Sequence, residues 1–562
     1  MKEPTTEHDL PSRPIPIKGR SLRFLVIGAG SRGNAYARAV TTSTPACIHA
    51  VAEPHAFKRA DFGRKYIWGE EGQPADGQEF SDWREWLEWE TARRAQPDQS
   101  QGADGDGVDG VFICTLDETH VEIVTALAPL GLHILCEKPL ALSLGDCLAV
   151  YKALSPAAGD SSGANGSASG GDNKIFSIGH VLRYSPHNIL LRKLLLLDRA
   201  IGDIVSLEHT EPVGWWHFAH SYVRGNWRRA TAQGDGSLLT KSCHDIDFIM
   251  WLLSSPAEYV TAQGKMQTQT HHPRSITSTG TLTQFRRARK PPAAGAAATN
   301  CLSCPAEREC IYSAVRIYRD LHLSQGETGW PVKIVVPDIE DVLRSSPADK
   351  ARAAGEAHLL ARLREDYSRE EMSDEEIARR PWYGRCVFEA DNNVCDDQVV
   401  TITWDDEDED ESPVVNGEGQ QGRRAKTAVF HMIAPTEKQC ERRGRVYGTR
   451  GEIAYDSRTI SIYDFATRST TTIEVPKQPP EEEEAHGGGD YGLARSFVRA
   501  VDAVENEGWD VQRAQTHFVG CTLEEAVRSH AVVFAAEEAR REEKVVRWKE
   551  WWAEKLTAAG IA

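Results

Sequence analysis

A doubly wound, parallel α/β domain followed by a strand-rich α+β domain is the fold class this sequence predicts, and three observations predict it. A strand-forming run (Phe24, Leu25, Val26, Ile27) breaks at once into Gly28, Gly30 and Gly33, and a helical stretch follows over 34–40. Apolar runs at 48–52, 108–115 and 132–136 alternate with helical patterns, the signature of a parallel sheet with right-handed crossovers. From residue 399 onward, short β-rich runs succeed one another at 399–404, 428–433, 445–448, 453–455, 460–463 and 471–475.

The first unit carries the most chemistry. In Gly28-Ala29-Gly30-Ser31-Arg32-Gly33, Gly28 permits the tight turn, Gly30 lets a pyrophosphate approach bare backbone, and Gly33 lets the helix pack on the strand. The helix start then offers unpaired N–H groups and a positive dipole end to phosphate. The strand 48–52 ends in Glu53, placed to bond ribose hydroxyls and to repel a 2′-phosphate. The expected cofactor is therefore NAD(H) rather than NADP(H), with Arg32 and Lys58 the nearby basic residues. Helices are expected over 54–66 and 82–95, the second burying Trp83, Trp86, Leu87 and Trp89. Residues 96–107 read as a surface loop. The strand 108–115, the helix 118–130 and the strand 132–136 follow, the last ending in Glu137-Lys138-Pro139. Thr115, His120, Glu137 and Lys138 thus sit at or just past strand carboxyl ends, where ligands of such sheets lie.

Composition bounds the rest. A chain of 562 residues is long enough for more than one domain. Its 65 basic against 83 acidic side chains leave a net charge of −18, which disfavours nucleic acid or an anionic membrane as partner. Residues 1–20 are polar and read as a disordered tail rather than a signal peptide. No apolar run approaches a membrane span. Twelve cysteines without a secretory signal fit reduced thiols and a cytoplasmic location. The expected plan is a nucleotide-binding Rossmann domain at 21–155, a flexible Gly/Ser-rich loop at 156–173, an α+β domain at 174–545 with a Cys-rich insertion near 286–390, and a tail at 546–562.

The glycine fingerprint, the strand-end Glu-Lys-Pro and the later His244-Asp245-Ile246-Asp247 resemble the glucose–fructose oxidoreductase/inositol dehydrogenase/MocA (Gfo/Idh/MocA) family from about residue 22 to 540. The resemblance implies a second domain with a large open, mostly antiparallel sheet that commonly mediates oligomerisation. It places Lys138 beside the nicotinamide and the reacting hydroxyl. A lysine in a desolvated pocket has its charged form disfavoured, so it serves as base or hydroxyl-orienting donor. Residues 174–184 resemble the family's crossover strand, making Arg183 and Tyr184 candidates for the substrate pocket. Trp216, with the Arg, Asn and His residues around it, suits a polyol. His244 and Asp247 match the family's histidine and following aspartate, and at i, i+3 the carboxylate is expected to orient the imidazole. Thr240 stands where the family has an aspartate, with Lys241 beside it as an alternative polar contact.

Cys301, Cys304 and Cys310 lie within one polar segment, and Cys386 is a candidate fourth ligand. Their spacing suggests a closed, structural Zn site. Helices are expected over 347–364, 369–378 and 492–504, with an amphipathic helix at 524–541 and solvated acidic loops at 405–411 and 481–484. His486 and Asp490 flank a glycine run that is a candidate pocket lining. The reading that follows is NAD-dependent hydride transfer from a secondary hydroxyl of a sugar or cyclic polyol by a homo-oligomer. Redox-neutral, NAD-dependent glycoside cleavage and NAD sensing without catalysis are the alternatives, and Lys138 and His244 argue against the sensor.

Overall fold

The first sheet is built from β1 (Arg23–Ile27), β2 (Cys47–Ala52), β3 (Glu79–Phe80), β4 (Gly110–Ile113), β5 (His133–Cys136) and β6 (Phe176–Ile178). All its pairings are parallel, in the order β3-β2-β1-β4-β5-β6. The order reverses between β1 and β4, which opens a crevice at their carboxyl ends. The computed structural model describes residues 19–95, 107–155, 174–231, 236–254, 257–260, 266–406, 424–484 and 486–561. The expected tail (to residue 18), the loops 96–106 and 156–173 and most of the first acidic loop lie outside the described residues.

The central strands are fully buried, as continuous apolar runs in a parallel sheet require. One face is closed by a part of the chain the sequence does not place there. Phe112 on β4 packs against Phe24 (ring centroids 5.4 Å), Tyr36 (5.7 Å) and Phe497 (5.3 Å). Phe497 lies on the helix Gly489–Glu505, so the C-terminal region completes the first domain's core. β6 likewise moves the expected boundary, because Phe176–Ile178 pairs with β5 and belongs to the nucleotide-binding sheet.

The second sheet contains β7 (Ile204–Pro212), β10 (Ser275–Thr281), β11 (Asp397–Trp404), β12 (Lys426–Ile433), β13 (Arg443–Gly448), β14 (Gly451–Tyr455), β15 (Thr459–Asp464), β16 (Ser469–Glu474) and β17 (Val546–Arg547). Its order is β16-β15-β14-β13-β7-β12-β11-β10-β17, and only β7–β12 is parallel. A separate hairpin joins β8 (Ala257–Val260) to β9 (Met266–Gln269). Strict alternation of burial along β11 marks a sheet with one covered face. The cover is the helices Cys243–Leu253 and Leu523–Arg541: Phe248 packs on His209, Trp404 Nε1 donates to Ser254 Oγ (2.9 Å), and Gln398 Nε2 donates to Glu537 Oε1 (2.6 Å).

Three expectations change here. The helix Leu523–Arg541 is not an amphipathic surface helix but is buried over most of its length, because both domains pack on it. Residues 546–562 are not a tail: β17 pairs with β10, and the helix Trp548–Ala558 buries Trp548 and Trp551, with Trp548 stacked on Trp552. The second acidic segment is not solvated throughout, since Glu482 is buried in a two-oxygen pair with Arg495. No helix among the described residues is long and apolar enough to cross a membrane.

Phe112→Ala removes the ring that joins the first sheet to Gly489–Glu505 and should cost ~3–5 kcal/mol. Chemical denaturation should show this as an early transition, while Phe465→Ala, at an exposed position, should shift stability by less than about 0.5 kcal/mol.

Candidate active site

The glycine loop is shaped by contacts that only its glycines permit. Gly28 has φ +95°, and a Cβ there would meet Cys114 O at 2.5 Å. A Cβ on Gly33 would meet Gly28 O at 2.1 Å. Gly30 differs, because no atom lies within 4 Å of where its Cβ would be. Its bareness relieves no internal clash and leaves the space a pyrophosphate takes. The helix Ser31–Ser43 starts there with no side-chain cap, so its first N–H groups face that space. Glu53 accepts from Ala29 N–H (2.8 Å) and His55 N–H (2.9 Å), which holds its carboxylate at the end of β2 beside the loop. These residues fit a dinucleotide.

Arg32 does not reach toward the cofactor. Its Nε donates to Glu137 Oε1 (2.8 Å) and its two terminal nitrogens to Asp490 (2.9 Å each). Glu137 also accepts from Tyr36 OH and Lys138 N–H. Burial alone would raise both carboxyls, yet the Arg32 charge holds Glu137 and Asp490 below the usual range. Arg32 and Glu137 thus form the frame of the loop, and His486 Nδ1 joins it at 3.1 Å from Asp490. His120 is fully buried, with Nδ1 2.8 Å from Pro139 O and Nε2 3.4 Å from Thr115 O, so it ties two strand ends together. Thr115 accepts from Thr119 Oγ1 at 2.7 Å.

Lys138 and His244 come from different domains and lie close enough for the ammonium charge to act on the imidazole. Lys138 Nζ donates to Thr240 O at 2.6 Å, one turn before His244. The same ammonium lies 5.9 Å from the centre of the Trp227 ring, whose Nε1 donates to Asp117 (2.8 Å). Burial pushes the His244 imidazole well below its ordinary range and the Lys138 charge adds to this, so the ring is neutral near pH 7. Its Nδ1 is buried without a partner. Thr240 cannot replace an aspartate by its hydroxyl, because Oγ1 donates back to Gly236 O (3.0 Å).

The expected His244–Asp247 pair does not form. Asp247 is fully buried and accepts from Arg183 Nε (2.7 Å), Arg183 Nη2 (2.8 Å) and Ser529 Oγ (2.8 Å). His180, not His244, is the imidazole beside it, with Nδ1 at 3.1 Å. Arg183, Asp247 and Tyr184 (OH to Val519 O, 2.8 Å) therefore take part in interdomain packing. Lys241 is held by Glu211 (3.1 Å) and Cys440 Sγ (3.1 Å). Cys440, with φ +58° a strained non-glycine residue, also places Sγ 3.5 Å from His217 Nδ1. Burial would raise this thiol, but Lys241 and Arg442 bring it below the ordinary value. Glu211, Cys440 and Arg442 went unnoticed in the sequence, where they stand alone in strands and loops without a motif. Trp216 packs against His322 (4.7 Å) and Trp330 (5.0 Å) of the insertion, forming an aromatic wall.

The cysteines of the insertion are all free thiols. Among the described residues the only His, Cys or acidic ligand atoms lying three together within 4.8 Å are those of His180, Cys243 and His530. A Zn tetrahedron with bonds of about 2.3 Å needs sulfurs about 3.8 Å apart. No three of the sulfurs of Cys301, Cys304, Cys310 and Cys386 lie within 4.8 Å of one another. The histidine-containing trio is no metal site either, since His530 uses Nδ1 on Ala526 O and Nε2 on Leu140 N–H.

A bare glycine turn at a parallel switch point, with Lys138 held by the second domain, defines a dinucleotide-binding Rossmann domain joined to a second, sheet-bearing domain. Residues 22–158 match the model described as oxidoreductase family, NAD-binding Rossmann fold, and residues 191–287 match the GFO/IDH/MocA C-terminal domain. Both matched models are domains of the Gfo/Idh/MocA oxidoreductase family, which the chain resembles over these two segments. Among curated relatives, 2,7-anhydro-N-acetylneuraminate hydratase of Escherichia coli is 29% identical over 28% of this chain and 37% of its own length. Inositol 2-dehydrogenase 2 of Saccharopolyspora erythraea is 31% identical over 28% of this chain and 38% of its own. The chain thus spans well under half the length of these relatives. Among solved structures, the inositol dehydrogenase homolog complexed with NAD+ from Azotobacter vinelandii has a TM-score of 0.54 at 12% identity, covering 96% of this chain and all of its own. Levoglucosan dehydrogenase, complexed with NADH and levoglucosan, has a TM-score of 0.51 at 16% identity, covering 94% and 99%. At such identities the likeness is one of fold.

Buried neutral histidines make stability depend on pH. Burial lowers His244, His217 and His220, and lowers His530 to about 3. The unfolded chain takes up these protons below about pH 6.5 while the folded chain does not, so stability is full above that pH and falls as pH drops. Each such histidine contributes about 1.4 kcal/mol per pH unit in that window. His530→Gln should reduce the slope of unfolding free energy between pH 6 and pH 4 by about one proton; an unchanged slope would contradict a neutral buried ring.

Proposed function

We propose that this protein is an NAD-dependent dehydrogenase acting on a secondary hydroxyl of a sugar, cyclic polyol or related compound. The observation that carries the reading is the meeting of Lys138 and His244 in the interdomain cleft, beyond the glycine loop. Neutral His244 accepts the hydroxyl proton, and Lys138, steadied by the Thr240 carbonyl, donates to the same oxygen and orients it. NAD, when bound, supplies the hydride acceptor. Glu53 disfavours a 2′-phosphate, and Arg32, spent on Glu137 and Asp490, is not free to bind one. Trp216 and the insertion wall the substrate side, which suits the flat C–H faces of a ring. The reading includes a cytoplasmic location, self-association through the open second sheet, and a structural metal on the clustered cysteines that takes no part in hydride transfer. Similarity to a hydratase supports a second reading, redox-neutral chemistry on a sugar with NAD retained. Net NADH accumulation with a polyol or sugar panel favours the dehydrogenase; product without NADH favours the other.

Lys138→Ala and His244→Ala should each lower turnover ~10²–10⁴-fold with NAD affinity little changed. The double variant should be far less impaired than the product of the two, because both serve one proton transfer. The acid limb of kcat/KM should lie well below pH 6.5, following the lowered His244. Glu53→Ala should narrow the preference for NAD over NADP in a binding titration; tighter NADP binding by the unaltered protein would refute that preference.

A further inference from the structure

The clustered cysteines are brought together by backbone pairing as well as by sequence. Asn300 and Arg385 form an isolated antiparallel bridge. Beside it, Cys301 N–H donates to Gly384 O (2.9 Å) and Cys386 N–H to Thr299 O (2.8 Å). Residues flanking a bridged pair point to the opposite side from it. Cys301 and Cys386 therefore share one face as diagonal neighbours, a relation with backbones about 7–8 Å apart. Cys304 closes the turn that Cys301 opens (N–H to Cys301 O, 3.2 Å). The next turn runs from Cys304 O to Glu307 N–H (3.2 Å) and closes at Cys310 on Ala306 O (3.1 Å). The loop thus coils its three cysteines beside the fourth.

A second observation asks for negative charge at this place. Arg224 is 1% exposed. Its Nε donates to Arg385 O (2.6 Å), and its Nη2 donates to Tyr312 O (2.7 Å) and to Cys301 Sγ (3.4 Å). The Tyr318 phenol also lies beside this guanidinium, Nη1 itself is buried without a well-formed hydrogen bond, and no carboxylate among the described residues pairs with Arg224. The neighbouring buried arginines are different: Arg228 has Asp391 (2.7 Å) and Arg385 has Asp366 (2.7 Å). A buried charge without a counter-charge costs several kcal/mol. Neutral thiols do not supply the counter-charge, whereas four thiolates on a metal centre do.

The spacing selects the centre. No three of the four sulfurs lie within 4.8 Å of one another, wider than the edge of a Zn tetrahedron, while an iron–sulfur cluster takes four cysteines at wider separation because inorganic sulfide fills the middle. We propose that Cys301, Cys304, Cys310 and Cys386 ligate an iron–sulfur cluster, with Arg224 donating to its Cys301 sulfur. Its role is an anchor, and no electron passes through it in hydride transfer. It fixes the insertion whose Trp330 packs on His217 (4.9 Å) and whose Tyr318 OH meets His220 Nδ1 (2.9 Å) at the substrate side. The same insertion reaches the first domain, where Lys333 Nζ lies 3.9 Å from Asp61. The proposal is independent of the dehydrogenase reading.

The test is metal analysis of the full chain, expressed with added iron and purified without oxygen. Iron and acid-labile sulfide should be present in equal amounts, about two or four of each per chain, with a visible absorption band that dithionite bleaches. Cys304→Ser and Cys386→Ser should each lose at least about tenfold of the iron, while Cys47→Ser, at an exposed free thiol, should retain it. If those variants fail to fold, alkylation of the unaltered protein decides. The four cysteines should resist modification until the iron is stripped, and reconstitution with ferrous iron and sulfide should protect them again. Stoichiometric zinc, or four thiols that react at once in protein that takes up no iron, would overturn the proposal.

Discussion

The bidentate pair of Arg32 with Asp490, extended through Glu137, holds this molecule in working order. Arg32 stands in the glycine loop, Glu137 ends β5, and Asp490 starts the helix Gly489–Glu505. One guanidinium therefore ties the nucleotide loop, the strand that carries Lys138 and the C-terminal region that closes the first core. A buried pair of this kind stabilises little in net terms, but breaking it strands two carboxylates in an apolar setting. The geometry is thereby made all-or-none, and the loop is kept open at Gly30 without a ligand to hold it.

The two sides of the cleft use charge differently. On the nucleotide side Arg32, Glu137 and Asp490 neutralise one another, which leaves bare backbone facing the pyrophosphate space. On the substrate side one histidine is kept neutral by burial next to a lysine whose partner is a carbonyl rather than an acid. Beyond it, Lys241, Glu211, Arg442 and Asp245 form a buried network that includes Cys440. Burial drives the Glu211 carboxyl up to about 7 even with two cations beside it. The position of the family's aspartate is thus taken over by a wider set of groups, and the Thr240 backbone, not its side chain, contacts Lys138.

Legibility followed the range of the interaction. The fingerprint, Glu53 and the order of the first five long strands and helices were readable because each rests on neighbours a few residues apart. Lys138 and His244 were readable as a pair only through a resemblance. The packing partners of Arg183, Asp247, His120 and Glu137 were not legible for one reason: a charged or polar residue next to a motif reads as a ligand contact until its partner is seen. Those partners lie 458 residues away for Arg32 and 282 for Asp247. Trp548 and its neighbours were passed over because three tryptophans in a short charged segment do not announce what they pack on.

By itself the sequence determined the class of the first domain, since a glycine turn between an apolar strand and a helix, followed by a strand-end acid, has a local steric cause. It also determined the β-rich character of the second domain and the grouping of cysteines in an insertion. Only the tertiary structure decided which charges neutralise one another and where the first domain ends. It also decided the spacing of the four cysteine sulfurs, no three of which lie within 4.8 Å of one another. These outcomes depend on distances between segments remote in the chain, and burial gives such distances their energetic weight: a charge costs little in water whatever its neighbours, but inside a protein its partner fixes its role.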